Sequence, residues 1–209
     1  MVKPEVLTKT KKSGTNKTRQ KILDVSATLF SHKGYNGTSL RDIAVAADMK
    51  AGSIYHHFDS KEQLIREVLT TGIDNIYQYT TREVNALPEN SSTRAIIDAA
   101  ARGHLEALLE KCDYSSTSIR NFRQLPEASQ IVVLELRDKY EKLWHQWLKE
   151  GQEKGEIKPE VNLKILRLTI LSALTKTLEW YKEGELSTEE IAGMQISFFW
   201  NGVDGKNGT

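Results

Sequence analysis

The chain has 209 residues, with 29 Lys and Arg against 28 Asp and Glu for a net charge of +1, 39% hydrophobic side chains and one cysteine. That length allows one or two domains with a packed core, and a single cysteine excludes an intrachain disulfide framework or thiolate metal cluster. A charged N-terminus without a following apolar stretch, and no run of roughly 18 apolar residues anywhere, exclude a signal peptide and a transmembrane helix, so a cytoplasmic protein is expected.

Charge is unevenly placed. Residues 1–61 hold 11 basic and 5 acidic side chains, a net of +6, which leaves −5 on the remainder. A basic first third on an acidic body suits a head that binds phosphates. A disordered Lys-rich arm would show the same excess, because Lys3, Lys9, Lys11, Lys12, Lys17 and Arg19 supply over half of the basic groups.

In chain order, Ile22, Leu23, Val25, Ala27, Leu29 and Phe30 mark a helix over residues 16–33, with Gly34 as its left-handed stop. Ser39 with Asp42 forms a capping box that opens a short second helix through Ile43 and Ala44. After an interruption at Asp48 and Met49 comes a brief helix over residues 51–58, and Ser60 with Gln63 starts a long one running to about residue 86. Two short helices across a tight turn, after a longer one, describe a helix-turn-helix unit. Further helices are expected over 92–111, 116–123, 127–153, 162–182 and 188–202, with residues 112–126 otherwise poor in helix. No stretch alternates for long enough to predict a strand, so the fold class is all-α. The organisation is a basic flexible arm at 1–15, a helix-turn-helix domain at 16–61, and a larger helical domain at 62–205.

The run over residues 19–64 resembles the N-terminal domain of the TetR family of transcriptional regulators. The resemblance rests on Gly34, Ser39, Ile43, Ala44, Tyr55, His56, His57, Phe58, Lys61, Glu62 and Leu64. It departs from the usual pattern in the turn, where Ala47, Asp48, Met49 and Lys50 stand. Asp tolerates the left-handed backbone that Gly would supply, whereas Lys50 removes a hydroxyl cap and adds a cation. By this resemblance Ala51, Gly52 and Ser53 begin the base-reading helix. Tyr55, His57 and Lys61 match positions that touch phosphate, beside the Ser39 hydroxyl. Arg41 would reach a guanine edge, Lys50 would face DNA, and His56 would face bases or solvent. Tyr55 packing on Phe30 and Phe58 is the alternative. Adjacent His56 and His57 do not share a helical face, so no metal site is expected there.

An enzyme has no residues to stand on. The five histidines form no His-Glu-x-x-His arrangement, no Gly-x-Ser-x-Gly or Gly-x-x-x-x-Gly-Lys segment occurs, and Cys112 reads as an idle thiol. No cofactor is expected. An architectural DNA-binding protein would not need so long an apolar-rich second domain.

In the C-terminal half, Val133, Leu136, Tyr140, Trp144 and Trp147 follow helical spacing, and the 162–182 helix is apolar on several faces. The resemblance implies that the last two helices pair with their copies in a homodimer, through Leu171, Leu174, Leu178, Met194 and Phe198; internal packing alone is the alternative. It also implies a small-molecule effector in the helical body. Arg120, Arg123 and Arg137, near Phe122, Tyr140, Trp144 and Trp180, would neutralise a carboxylate or phosphates; exposed helix charges balanced by Glu127, Glu135 and Asp138 are the other reading. The region around Trp180 and residues 184–192 is similar to regulators of fatty-acid and acyl-CoA catabolism. The expected protein is therefore a homodimeric repressor that binds double-stranded palindromic operator DNA and is released by an effector. An acyl-CoA or fatty acid, and another apolar or aromatic compound, both remain open as the effector, as does a ligand-independent DNA-binding protein.

Overall fold

The computed structural model describes the backbone of residues 9–109 and 112–203, with side chains placed over 16–109 and 113–201. The arm at 1–15 and the Gly-rich tail fall outside the described side chains. Nine α-helices and one 3-10 turn make up the ordered elements among the described residues, and no strand occurs there.

The head is built from α1 (Lys9–Lys33), α2 (Leu40–Ala46) and α3 (Ala51–Ile54). Helical backbone in α1 starts at Lys9, before residue 16, with no proline between the two to interrupt it. Gly34 ends it with φ 74°, and its amide donates to the Phe30 carbonyl at 3.1 Å. The body follows as α4 (Lys61–Asn85), α5 (Thr93–Leu109), α6 (Cys112–Arg120), α7 (Glu127–Glu153), α8 (Leu163–Trp180) and α9 (Thr188–Val203), with the 3-10 turn Phe122–Gln124 between α6 and α7. The segment at 112–126 is thus more helical than its run of Ser and Thr suggests. Two of its hydroxyls are satisfied across helices instead of competing for their own backbone: Ser115 donates to Ala107 and Thr117 to Ala27.

Two apolar cores form, and α4 belongs to both. Leu64, Ile65, Val68, Leu69 and Ile73 join Ile22, Phe30, Ile43, Ile54 and Phe58 in the head core, which also takes Leu125 and Val133. Further along, Ile76 joins Leu105, Leu108, Tyr140, Trp144, Leu166, Ile170 and Leu174 in the body core. α4 crosses α6 so closely that a Cβ at Gly72 would lie 2.3 Å from the Tyr114 carbonyl oxygen. Only glycine allows that approach, so α6 is pressed against the helix shared by head and body.

Candidate nucleic-acid interface and effector cavity

The head presents a small, fixed reading unit. Ser39 caps α2: its Oγ accepts from the Asp42 amide at 3.1 Å and donates to Asp42 Oδ2 at 2.6 Å, while the Ser39 amide donates to the same carboxylate at 2.8 Å. These bonds hold the Asp42 carboxyl below the usual carboxylate range. Asp48 takes φ 56°, the left-handed conformation expected of the turn, and the Met49 amide donates back to the Ala44 carbonyl at 2.8 Å. Lys50 sits at the N-cap of α3 with no side-chain cap bond. Regular helix in α3 covers four residues, shorter than expected, although the Phe58 amide still donates to the Ile54 carbonyl.

Around this unit lie side chains whose exposure the head's own packing does not require. Tyr55 is 59% exposed and takes no part in the head core; the ring against Phe30 is Tyr35, with centroids 6.0 Å apart. The packing alternative for Tyr55 therefore falls. Arg41, Lys50, Ala51, Gly52 and His56 are exposed, and Ser53 and His57 are half-buried. A Cβ at Gly52 would meet nothing within 4 Å, so no contact inside the protein demands its small size. Val45 on α2 is also exposed, and a single apolar residue within a short helix gives no sign of that in the sequence.

Lys61 differs from its expected role. Its Nζ donates to the carbonyls of Tyr35 at 2.8 Å and Thr38 at 3.0 Å and lies 4.0 Å from the Tyr35 ring centroid. Burial lowers its pKa. Two of three N–H groups thus secure the connection between α1 and α2. Arg19 acts similarly from α1, pairing with Glu67 and lying over the Phe58 ring.

The body contains two adjoining cavities. The inner one, about 240 Å³, is lined by Ile73, Ile76, His104, Arg137, Tyr140 and Leu171, among others. The outer one, about 360 Å³, is lined by Arg120, Leu168, Ser172, Lys176, Leu178 and Glu179 together with Ile119, Glu141, Leu171 and Thr175, the four residues it shares with the inner cavity. The inner cavity thus combines apolar Ile73, Ile76 and Leu171 with Arg137 and Glu141, and the outer one sets Arg120 beside the Lys176–Glu179 ion pair. Of the expected ligand residues, Arg137 and Tyr140 line the inner cavity and Arg120 the outer. Trp144 is a core residue, edge-on to Tyr140 and Trp147. Phe122 lies under the Arg137 guanidinium at 4.5 Å, Arg123 is exposed on the 3-10 turn, and Trp180 is half-exposed at the end of α8; none of these four lines either cavity. The sequence concealed His104, which sits in an Ala-rich helix, because a single His on an apolar face reads as packing.

Arg137 also ties the chamber to the head. Burial lowers its pKa, partly offset by Glu141, and its Nη2 donates to the Ser118 carbonyl on α6 at 2.7 Å. α6 is stitched to α1 by buried Asn121, whose amide donates to the Phe30 carbonyl at 3.1 Å while its Oδ1 accepts from the Tyr35 amide at 2.8 Å. Thr28 and Ser31 add bonds to Asp113 at 2.6 and 3.2 Å.

On the outside of α8 and α9, Ile165, Leu168, Met194 and Phe198 are exposed, Phe198 by 80%. Leu174, expected at an interface between copies, is instead fully buried in the body core, and Leu171 and Leu178 are partly buried against it. Apolarity on several faces of α8 concealed this for Leu174, since the side facing α5 and α7 is core. Among the described residues, no group of His, Cys, Asp and Glu could hold a metal, and no helix is long and apolar enough to cross a membrane.

A helix-turn-helix head carried on a helical body with an internal chamber defines a DNA-binding regulator that responds to a ligand. Residues 22–68 match the family described as bacterial regulatory proteins, tetR family, and residues 90–203 match the tetracyclin repressor-like C-terminal domain. The chain belongs to the TetR family of transcriptional repressors, which are DNA-binding regulators and not enzymes. It is 28% identical over 200 residues to the HTH-type transcriptional repressor KstR2 of Rhodococcus jostii, covering 91% of this chain and 93% of that protein. The fold is that of KstR2 of Mycobacterium tuberculosis, described as a ketosteroid transcriptional regulator, with a TM-score of 0.78, 21% identity and coverage of 89% and 94%. It is also that of AibR in complex with isovaleryl coenzyme A and operator DNA, with a TM-score of 0.74, 23% identity and coverage of 87% and 97%.

Proposed function

We propose that the protein is a homodimeric repressor in the cytoplasm whose two heads read a palindromic operator and whose inner chamber takes an acyl-CoA. The observation that carries the effector reading is the pair of adjoining cavities, the inner with Ile73, Ile76 and Leu171 beside Arg137, and the outer with Arg120 and the Lys176–Glu179 ion pair. The aliphatic side chains suit an acyl chain, and the Arg120 guanidinium suits a phosphorylated nucleotide, since guanidinium groups favour phosphate. AibR, of the same fold, was solved with isovaleryl coenzyme A and DNA, which supports the reading.

In the head, Arg41, Lys50, Gly52, Ser53, Tyr55 and His56 meet the DNA, Arg41, His56 and the start of α3 at base edges and Lys50 and Tyr55 at the backbone. Lys61 supports them by holding the α1–α2 connection. The exposed stripe Ile165, Leu168, Met194 and Phe198 joins the two copies. Release follows when an effector draws Arg137 from the Ser118 carbonyl and moves α6, since α6 and α1 move together through Asn121. A ligand shifts the equilibrium only by binding the released geometry better.

The test is a titration of the protein–operator complex, followed by fluorescence anisotropy, with isovaleryl-CoA, longer acyl-CoAs, free CoA and a steroid. Release by an acyl-CoA but not by CoA is expected, with Arg137→Ala needing a higher concentration. Release by the steroid alone, or by none of them, removes the acyl-CoA reading.

A further inference from the structure

His104 stands midway along α5, lines the inner cavity and is buried. Its Nδ1 is 2.8 Å from the Tyr140 hydroxyl, which is 2.9 Å from Thr80 Oγ1, and the two rings stack with centroids 5.8 Å apart. The other ring nitrogen, Nε2, is equally buried and has no hydrogen-bond partner among the described residues. A buried polar atom left in this way costs free energy that a ligand group can recover.

The hydrogen-bonded chain Thr80–Tyr140–His104 can run in two directions, because the phenol has one proton. If Tyr140 accepts from Thr80 and donates to Nδ1, Nε2 carries the imidazole proton. In the reverse direction Nδ1 carries it and Nε2 is an acceptor. A phenol is a better donor than a neutral imidazole N–H, and an imidazole lone pair is a better acceptor than a phenol oxygen, so the first direction is favoured. Burial also pushes the imidazole pKa down to about 4, so the ring is neutral at pH 7. The group offered at Nε2 is then an uncharged N–H suited to a neutral carbonyl oxygen, in a cavity that also holds Ile73, Ile76, Leu171, Arg137 and Glu141, while anionic groups go to the guanidinium of Arg120.

We propose that His104, as its Nε2–H tautomer set by Tyr140, recognises the carbonyl oxygen of an acyl thioester held in the inner cavity. This rests on the acyl-CoA reading above and adds the atom that reads the thioester. An effector joined to CoA through a thioether, with a methylene in place of the carbonyl, leaves Nε2–H unpaired and binds less well.

Two measurements on the full chain decide it. The two-bond proton–nitrogen correlation of histidine-labelled, ligand-free protein reports the tautomer. The His104 signal is assigned by its loss in His104→Phe or, should that variant not fold, by its shift in Tyr140→Phe. The Nε2–H pattern is expected, and the Nδ1–H pattern overturns the proposal. Calorimetry then compares isovaleryl-CoA with 3-methylbutyl-CoA, its thioether. The thioester should bind about tenfold more tightly, and Tyr140→Phe should narrow the gap. Equal binding of the two overturns the proposal and leaves the acyl-CoA reading standing; binding of neither, with no longer acyl-CoA releasing the operator, removes that reading and the proposal with it.

Discussion

Lys61 and His104 show how a single side chain reads differently in sequence and in place. Lys61 carries the residue type and position of a phosphate contact, yet its Nζ is bonded to the Tyr35 and Thr38 carbonyls and sits over the Tyr35 ring. Lys61→Ala leaves both carbonyls short of a partner, so unfolding by heat or denaturant should show a loss of about 1–3 kcal/mol. The salt dependence of operator binding should change little. A slope flatter by about one unit, with stability unaltered, would return Lys61 to the phosphate role. At His104 the consequence is a pH dependence. Its folded pKa of about 4 lies below the ordinary histidine value. Between the two values the unfolded chain binds a proton that the folded chain refuses, so stability present above about pH 6.5 is lost as pH falls toward 4. The melting temperature should fall over this window more steeply in the wild-type protein than in His104→Phe; parallel profiles would contradict the burial argument.

Among the elements, helix positions were legible from spacing and caps because both are local. Ser39 with Asp42, the left-handed Gly34 and the apolar steps of α4 and α7 each act within a few residues. The register of α8 was not legible. Ile165, Leu166, Leu168, Ile170, Leu171 and Leu174 give apolar residues on more than one side, and only the positions of α5 and α7 decide which side is core. The structure separates Leu174, fully buried, from Phe198, 80% exposed on α9. Lysine at the two positions should therefore act in opposite ways. Phe198→Lys should keep a folded chain and sediment as a monomer. Leu174→Lys puts an unpaired charge in the core, costs several kcal/mol and should not fold. A folded Leu174→Lys chain, or a dimeric Phe198→Lys chain, would place the interface elsewhere. The ligand chamber was the least legible element, since five helices converge on it and only Arg120, Arg137 and Tyr140 among its residues stood out by type.

For the whole molecule, the basic excess of residues 1–61, the pre-ordered turn at Asp48 and the exposed Tyr55 supply a reading head, and the shared helix α4 with the α6–α1 seam connects it to the chamber. A twofold copy of such a head must meet DNA as an inverted repeat, with half-sites about 34 Å apart along the duplex. Selection of binding sites by the full-length protein from a random duplex pool, read by sequencing, tests this most directly. The account predicts one enriched inverted repeat with half-site centres about 10 base pairs apart, or a multiple of that turn. Recovery of no preferred sequence, or of a single unrepeated half-site, would contradict it.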